Sequence, residues 1–259
     1  MQRPRMDEAI GIIKELLTTK TPITYESDWF TLKEALPHLQ PYTQPHFPIS
    51  VAAAQSPSGM IAAGKHGLGV LSVSVVRGGS ISSNLAEFWS IAEETAQEYN
   101  QTVDRNEWRL VLHVHLADTK KEALEQVREK SAIYQWDYFH QTMGIPFDYT
   151  GPKDKIVDHM VNNGAWCVGT PDDLVSKIKE LDEQSGGFGG FMVQSTEWGT
   201  REQVRHSYEL LARYVMPQFQ GTLHNLGVSQ KWSQDHRKDL KSLKDASIQK
   251  AVGDYDKRT

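Results

Sequence analysis

The chain predicts an α/β protein with a parallel sheet, on three observations. Short apolar runs suited to strands covered on both faces recur at residues 49–54, 70–75 and 108–116. Segments of helical periodicity lie between and after them, so the order runs strand, helix, strand, helix, strand, helix. Such alternation is compatible with an open, doubly wound sheet or with a closed barrel. The third observation is length: 259 residues suit a β/α barrel, yet only four firm strands and one short piece can be read, against the eight of a complete barrel.

Each element has its own warrant. Met6, Ile10, Ile13 and Leu17 stand at helical spacing behind Pro4, predicting a helix over 6–19. Residues 24–48 carry four prolines among polar and aromatic residues, predicting an ordered connection with one short hairpin. A strand over 49–54 stops at Gln-Ser-Pro-Ser-Gly, and a helix runs from Pro57 to His66, where Gly67 ends it. After the strand at 70–75 comes a helix over 84–100 with Leu85, Phe88, Ile91, Ala92 and Ala96 on one stripe. The strand at 108–116 is followed by one long helix over 120–143, a Pro/Gly loop, a helix over 153–163 and the short apolar piece Ala-Trp-Cys-Val-Gly. Thr170, Pro171 and Asp173 form a helix start in which the first caps, the second opens the helix and the third faces back. A last strand in Gly-Gly-Phe-Gly-Gly-Phe-Met-Val-Gln-Ser and a helix over 200–219 complete a domain spanning 1–220, and residues 221–259 read as a polar helical tail.

Composition narrows the function. Lys and Arg number 28 against 33 Asp and Glu, a net charge of -5, which leaves no basic surface for nucleic acid. No segment approaches the roughly 18 apolar residues of a membrane span, and the N-terminus lacks a signal-peptide core. The single Cys167 excludes an internal disulfide and fits a reducing compartment, so the expected location is cytoplasmic.

Two stretches carry candidate chemistry. At Gln55-Ser56-Pro57-Ser58-Gly59 a helix begins directly after a parallel strand, where free amides and the positive end of the helix dipole favour an anion such as phosphate. The plainer reading is a well-capped helix start. In the strand at 108–116, Leu110, Leu112, Val114 and Leu116 share one face, and Val111, His113 and His115 share the other. His115 then lies nearest the functional rim, as a hydrogen-bonding or proton-transferring group, while His113 reads as a core histidine. A metal site would need further ligands at later strand ends, which the sequence does not supply, so no metal is expected. Gln194, Glu197 and Trp198 leave the last strand at the same end, where the indole either walls a cofactor or covers the core.

Taken in order, Arg-Pro-Arg-Met-Asp-Glu-Ala-Ile, the segment from Pro48 to Ser74, the run from Gly169 to Trp198 and Ser-Tyr-Glu-Leu-Leu-Ala-Arg resemble the bacterial luciferase-like flavin-dependent monooxygenases, especially the limonene-monooxygenase-like branch. The resemblance runs through most of residues 1–220. It implies the C-terminal portion of a TIM barrel whose enzyme takes reduced FMN from a reductase, reacts it with O₂ and inserts one oxygen atom into a small apolar substrate. The residues it implies for the flavin phosphate are Gln55, Ser56, Ser58 and Gly59, with Ser72 and Ser74 on the strand beside the isoalloxazine ring. The same fold and phosphate site serve deazaflavin F420 enzymes, which makes F420-dependent hydride transfer the alternative. Relative to the family the chain begins after the fourth barrel strand. Five βα pieces cannot close a barrel, so a catalytically inactive half-barrel is a further alternative, weak or no FMN binding by the isolated chain is expected, and a homodimer stays open.

Overall fold

The computed structural model describes residues 2–54, 56–73 and 84–257. The chain divides into two compact units, Met1–Ser207 and Tyr208–Thr259.

The first unit opens with helix α1 (Gln2–Thr18) and an antiparallel hairpin of β1 (Ile23–Glu26) and β2 (Thr31–Ala35). Helix α1 starts four residues before Met6 because Pro4 falls in its first turn, where the missing N–H has no partner to lose. The Glu8 carboxylate accepts hydrogen bonds from the Tyr25 hydroxyl (2.8 Å), the Ser27 hydroxyl (2.9 Å) and the Trp29 indole (2.6 Å), fastening the hairpin to α1.

Next comes an all-parallel sheet made of β3 (Ser50–Ala53), β4 (Gly69–Val73), β5 (Trp108–Leu116), β6 (Trp166–Gly169) and β7 (Gly190–Gln194). Its connecting helices are α2 (Ser58–His66), α3 (Leu85–Glu98), α4 (Lys120–Ala132), α5 (Ile156–Asn162) and α6 (Pro171–Ser185). β5 has three partners: β4 along 108–111, β7 along 109–113 and β6 along 113–116. β4 and β7 overlap on the same stretch and so occupy opposite edges of β5. The strands β3, β4, β5 and β7 therefore form a run in chain order, with β6 beside the projecting end of β5. This α/β arrangement is the partial barrel expected, and it does not close: among the described residues β3 pairs only with β4, and β7 only with β5.

One face of that run is packed by helices. Val51, Ala53, Val70, Ser72, Trp108, Leu110 and Leu112 are buried there, beneath α2 and α3, with α6 beside α3. Trp89 of α3 stacks on Trp108 at 4.8 Å, the Trp108 indole donates to the Ser72 hydroxyl at 2.8 Å, and Arg105 covers both rings. Close approach requires glycine at two places. A Cβ on Gly64 would meet Ala92 O of α3 at 2.5 Å, and one on Gly59 would meet Ala52 O of β3 at 2.6 Å.

Downstream, the capping box of Thr170 and Asp173 opens α6 as predicted, and Gly186 closes it in the left-handed conformation. The single helix predicted over 120–143 is instead α4 followed by a π-helix, Ile133–Thr142. The wider turn sets Tyr134 against His113 and Trp198, and Trp136 against Phe147. Helix α7 (Arg201–Leu210) runs into the second unit, which holds a π-helical turn (Leu211–Val215), α8 (Met216–Phe219), α9 (His224–Asp235) and α10 (Arg237–Asp256). Neither α9 nor α10 contains a buried residue.

Candidate functional site

The turn between β3 and α2 is the more open of the two candidate regions. Pro57 precedes α2 and offers no side-chain cap, and the first helical bond runs from Ile61 N to Pro57 O at 2.9 Å. The amides of Ser58, Gly59 and Met60 are thus first-turn donors with no carbonyl of the helix to serve. Beside them the Ser56 and Ser58 hydroxyls lie 2.8 Å apart. Gly59 is buried between α2 and β3, so its place in the turn is set by packing as well as by access. Gln55 falls outside the described residues.

A guanidinium completes this cluster. Arg3 of α1 donates from Nη2 to Ser56 Oγ at 3.4 Å. It is held there by the docking of α1 on α2: the Asp7 carboxylate joins Lys65 and meets His66 Nε2 at 2.7 Å, and Lys14 donates to the His66 carbonyl. Burial opposes ionisation of Asp7, but hydrogen bonds from Lys65 and His66 outweigh it and hold the carboxyl below the usual aspartate range. Sequence reading missed Arg3. Its only signal was a basic residue in the first turn of an amphipathic helix, which says nothing of a partner more than fifty residues away.

Ser72 is not part of this cluster. It turns away from Leu71 and Val73 as expected, but toward the helix layer, where it is 2% exposed and accepts from Trp108. Ser74 lies outside the described residues. His115 is also separate. Ala53 is level with Ser72, and Ser72 with Leu110, so His115 stands five residues farther along β5, about 16 Å past the end of β3. It is 3% exposed, its Nε2 is 2.7 Å from Gln126 Oε1 of α4, and a Cβ on Gly199 would come within 3.2 Å of its ring. Burial lowers its pKa, only partly offset by Gln126, so the ring is neutral. The expected rim position is thus sealed by α4.

His113 sits among Tyr134, Trp166 and Trp198, with ring centroids 5.2 to 5.8 Å away, and pairs in register with Gln194 of β7. Trp198 is buried here, so the indole covers core and does not wall an open space. Burial pushes the Cys167 thiol up to about 12, which leaves it protonated and unreactive. Among the described residues no group of three or more His, Cys, Asp or Glu could hold a metal ion, and no helix is long and apolar enough to cross a membrane.

The family model for luciferase-like monooxygenases matches residues 1–188, which include the Ser56–Gly59 turn, the whole of β5 and α6. The chain belongs to the luciferase-like monooxygenase family. This luciferase-like chain is 39% identical over 222 residues to limonene 1,2-monooxygenase of Rhodococcus erythropolis, a match that covers 85% of the chain and 56% of the relative. It is 34% identical over 231 residues to 4-hydroxyprotoasukamycin monooxygenase of Streptomyces nodosus subsp. asukaensis, covering 89% of the chain and 62% of that protein. It therefore spans less than two thirds of the length of these curated relatives. Its fold is similar to that of the oxygenating constituent of 3,6-diketocamphane monooxygenase from Pseudomonas putida, solved with FMN, at a TM-score of 0.62 and 22% identity over 81% of this chain and 62% of that one. It is similar also to an F420-dependent secondary alcohol dehydrogenase, at a TM-score of 0.59 and 16% identity over 82% of this chain and 61% of that one.

Proposed function

We propose that this chain carries the cofactor-phosphate half of an FMN-dependent monooxygenase acting on a small apolar substrate. The observation that carries the reading is the donor set at the start of α2. The first-turn amides of Ser58, Gly59 and Met60, with no carbonyl partner among the described residues, stand at one turn with the hydroxyls of Ser56 and Ser58 and the Arg3 guanidinium. A doubly charged phosphate monoester matches such a set in charge and hydrogen-bond capacity. When bound, reduced flavin would supply the electrons that activate O₂, and a separate reductase would keep it reduced. The chain's own residues bind and orient. Ser56, Ser58 and Arg3 hold the phosphate end, and Gly59 lets the first turn of α2 sit against β3 at the strand end. His115, neutral and bonded to Gln126, serves to fix α4 over the end of β5; its burial keeps it from any substrate.

The membership of limonene and 4-hydroxyprotoasukamycin monooxygenases supports an oxygenase, and the apolar character of limonene supports the substrate class. F420 is the competing cofactor, favoured by the F420-dependent neighbour, and its phosphodiester would present one negative charge fewer to Arg3. The test supplies purified chain with excess reduced FMN, O₂ and limonene and analyses the extract. Against the weak or absent FMN binding that an open half-barrel implies, the donor set of the turn leads us to expect FMN binding and an oxygenated product that depends on reduced FMN. Reduction of a carbonyl substrate by reduced F420 would overturn the flavin assignment, and no turnover with either donor would overturn the monooxygenase reading for this chain.

A further inference from the structure

The chain holds six asparagines, and only Asn163 is followed by glycine. An Asn-Gly pair is the one most open to internal attack, because no Cβ on the second residue keeps its amide nitrogen from the asparagine side chain. Here the pair forms the turn between α5 and β6, with Asn163 exposed at the helix end and Gly164 left-handed at a φ of 78°. The turn holds both reacting groups elsewhere. A ψ of 2° at Asn163 sets the Gly164 nitrogen over Asn163's own nitrogen and away from its Cβ. Gly164 N donates to the Val161 carbonyl at 3.0 Å, and Asn163 Oδ1 accepts from Ala165 N at 3.0 Å. Attack therefore requires rotation at Asn163 and loss of these bonds. Such an opening costs little, since the Oδ1 bond lies at the surface and the two buried residues of α5, Ile156 and Val157, sit at its far end.

We propose that Asn163–Gly164 is a gated modification site: the closed turn preserves the asparagine, local opening lets it convert, and conversion loosens β6. In the open turn the Gly164 nitrogen attacks Asn163 Cγ. An N–Cγ bond forms, the Cγ–Nδ2 bond breaks, and ammonia leaves with the proton lost by Gly164 N. Water then opens the resulting five-membered imide. Cleavage at Cγ gives aspartate; cleavage at the main-chain carbonyl gives isoaspartate, whose backbone runs through Cβ and Cγ and is one carbon longer. Nothing is oxidised or reduced. Either product puts negative charge at the C-terminal end of α5, against its dipole, and the isoaspartyl linkage also displaces the chain entering β6. That strand is only Trp166–Gly169, paired with β5 from His113 to Leu116. Its Trp166 is buried against Trp198 at 4.4 Å and beside His113 at 5.8 Å, so a change in an exposed turn reaches the closed end of β5. The site stands on the geometry of this turn and is independent of the flavin reading.

The experiment follows the purified full chain at mildly alkaline pH. Peptide mapping by mass spectrometry, with isoaspartyl peptides resolved by chromatography, measures conversion at every asparagine in the native chain, in sub-denaturing urea and in fully unfolding urea. Asn163 is expected to convert ahead of the other five, at least about tenfold more slowly in the native than in the unfolded chain, and faster in urea well below the global transition. Hydrogen exchange of the converted chain should then show the amides of residues 165–169 exchanging about tenfold faster, with those of α6 unchanged. Equal rates in native and unfolded chain would overturn the gate, as would acceleration only at the global transition. Another asparagine converting first in the native chain would overturn the site. Unchanged exchange in β6 would overturn the effect on the strand. Asn163→Asp carries the charge without the longer backbone and should speed β6 exchange less than the isoaspartyl form does; equal effects would overturn the role of the added carbon.

Discussion

Two strand ends in this fold differ in what they have left to offer. Where β3 ends, the chain leaves three amides, two hydroxyls and an arginine around one turn. Where β5 ends, it closes: His115 is engaged by Gln126, Leu116 N donates to the Ser207 hydroxyl at 2.8 Å, and Trp198 lies over His113. The more conspicuous residues, two histidines on one strand face, thus belong to the sealed end, and the plainer Ser-Pro-Ser-Gly belongs to the open one. Binding capacity follows unsatisfied donors and access, and side-chain identity alone does not reveal either.

Substitutions at the two glycines of α2 probe the open end most forcefully. Gly59→Ala drives a Cβ to 2.6 Å from Ala52 O and should destabilise the first unit by about 2–3 kcal/mol, lowering Tm and abolishing FMN binding at the turn. Gly64→Ala, with its clash against Ala92 O, should cost about as much stability while leaving residual phosphate binding at the folded turn intact. Equal loss of binding in both would show that the turn reports stability only. Next in size, Arg3→Gln should weaken FMN about tenfold, the value of one charge-assisted bond in part-exposed surroundings, with Tm unchanged. Titration of both proteins checks this, and equal affinities would remove Arg3 from the site.

Smaller effects belong to the closed regions. Trp108→Phe removes the donor to buried Ser72 and should cost about 1 kcal/mol in denaturant unfolding without touching FMN affinity. A change in affinity would return Ser72 to the site. His115 has a folded pKa below the ordinary histidine value. As pH falls through about 6.5 the unfolded chain takes up a proton that the folded ring refuses, so stability present above that pH is lost progressively below it. His115→Gln should flatten this part of the decline between pH 7 and 5, and parallel curves for the two proteins would show that the ring protonates freely in the fold.

Much of the fold is legible from local pattern. β5 is bounded to the residue by its alternation, and α6 by Thr170, Asp173 and Gly186. Alternation separates two faces of a strand but does not say which one the helices cover, which is why Ser72 is found beneath Trp108 instead of beside a cofactor. The order β5–β7, with β6 set apart, depends on which edge of β5 stays free after β4 pairs, a non-local matter. The shift from α4 to a π-helix likewise follows from Tyr134 packing against residues on β5 and after β7. At the site, Ser56, Ser58 and Gly59 were visible as a helix start after a strand, while Arg3 became visible only once Asp7 docked α1 on α2.

The claim that the Ser56–Gly59 turn grips a cofactor phosphate is tested most directly by amide chemical shifts, which register even weak binding. Titration with FMN should move the Ser58, Gly59 and Met60 resonances, and riboflavin, which lacks the phosphate, should leave them in place. Equal shifts with both ligands, or none with FMN while other amides respond, would contradict it.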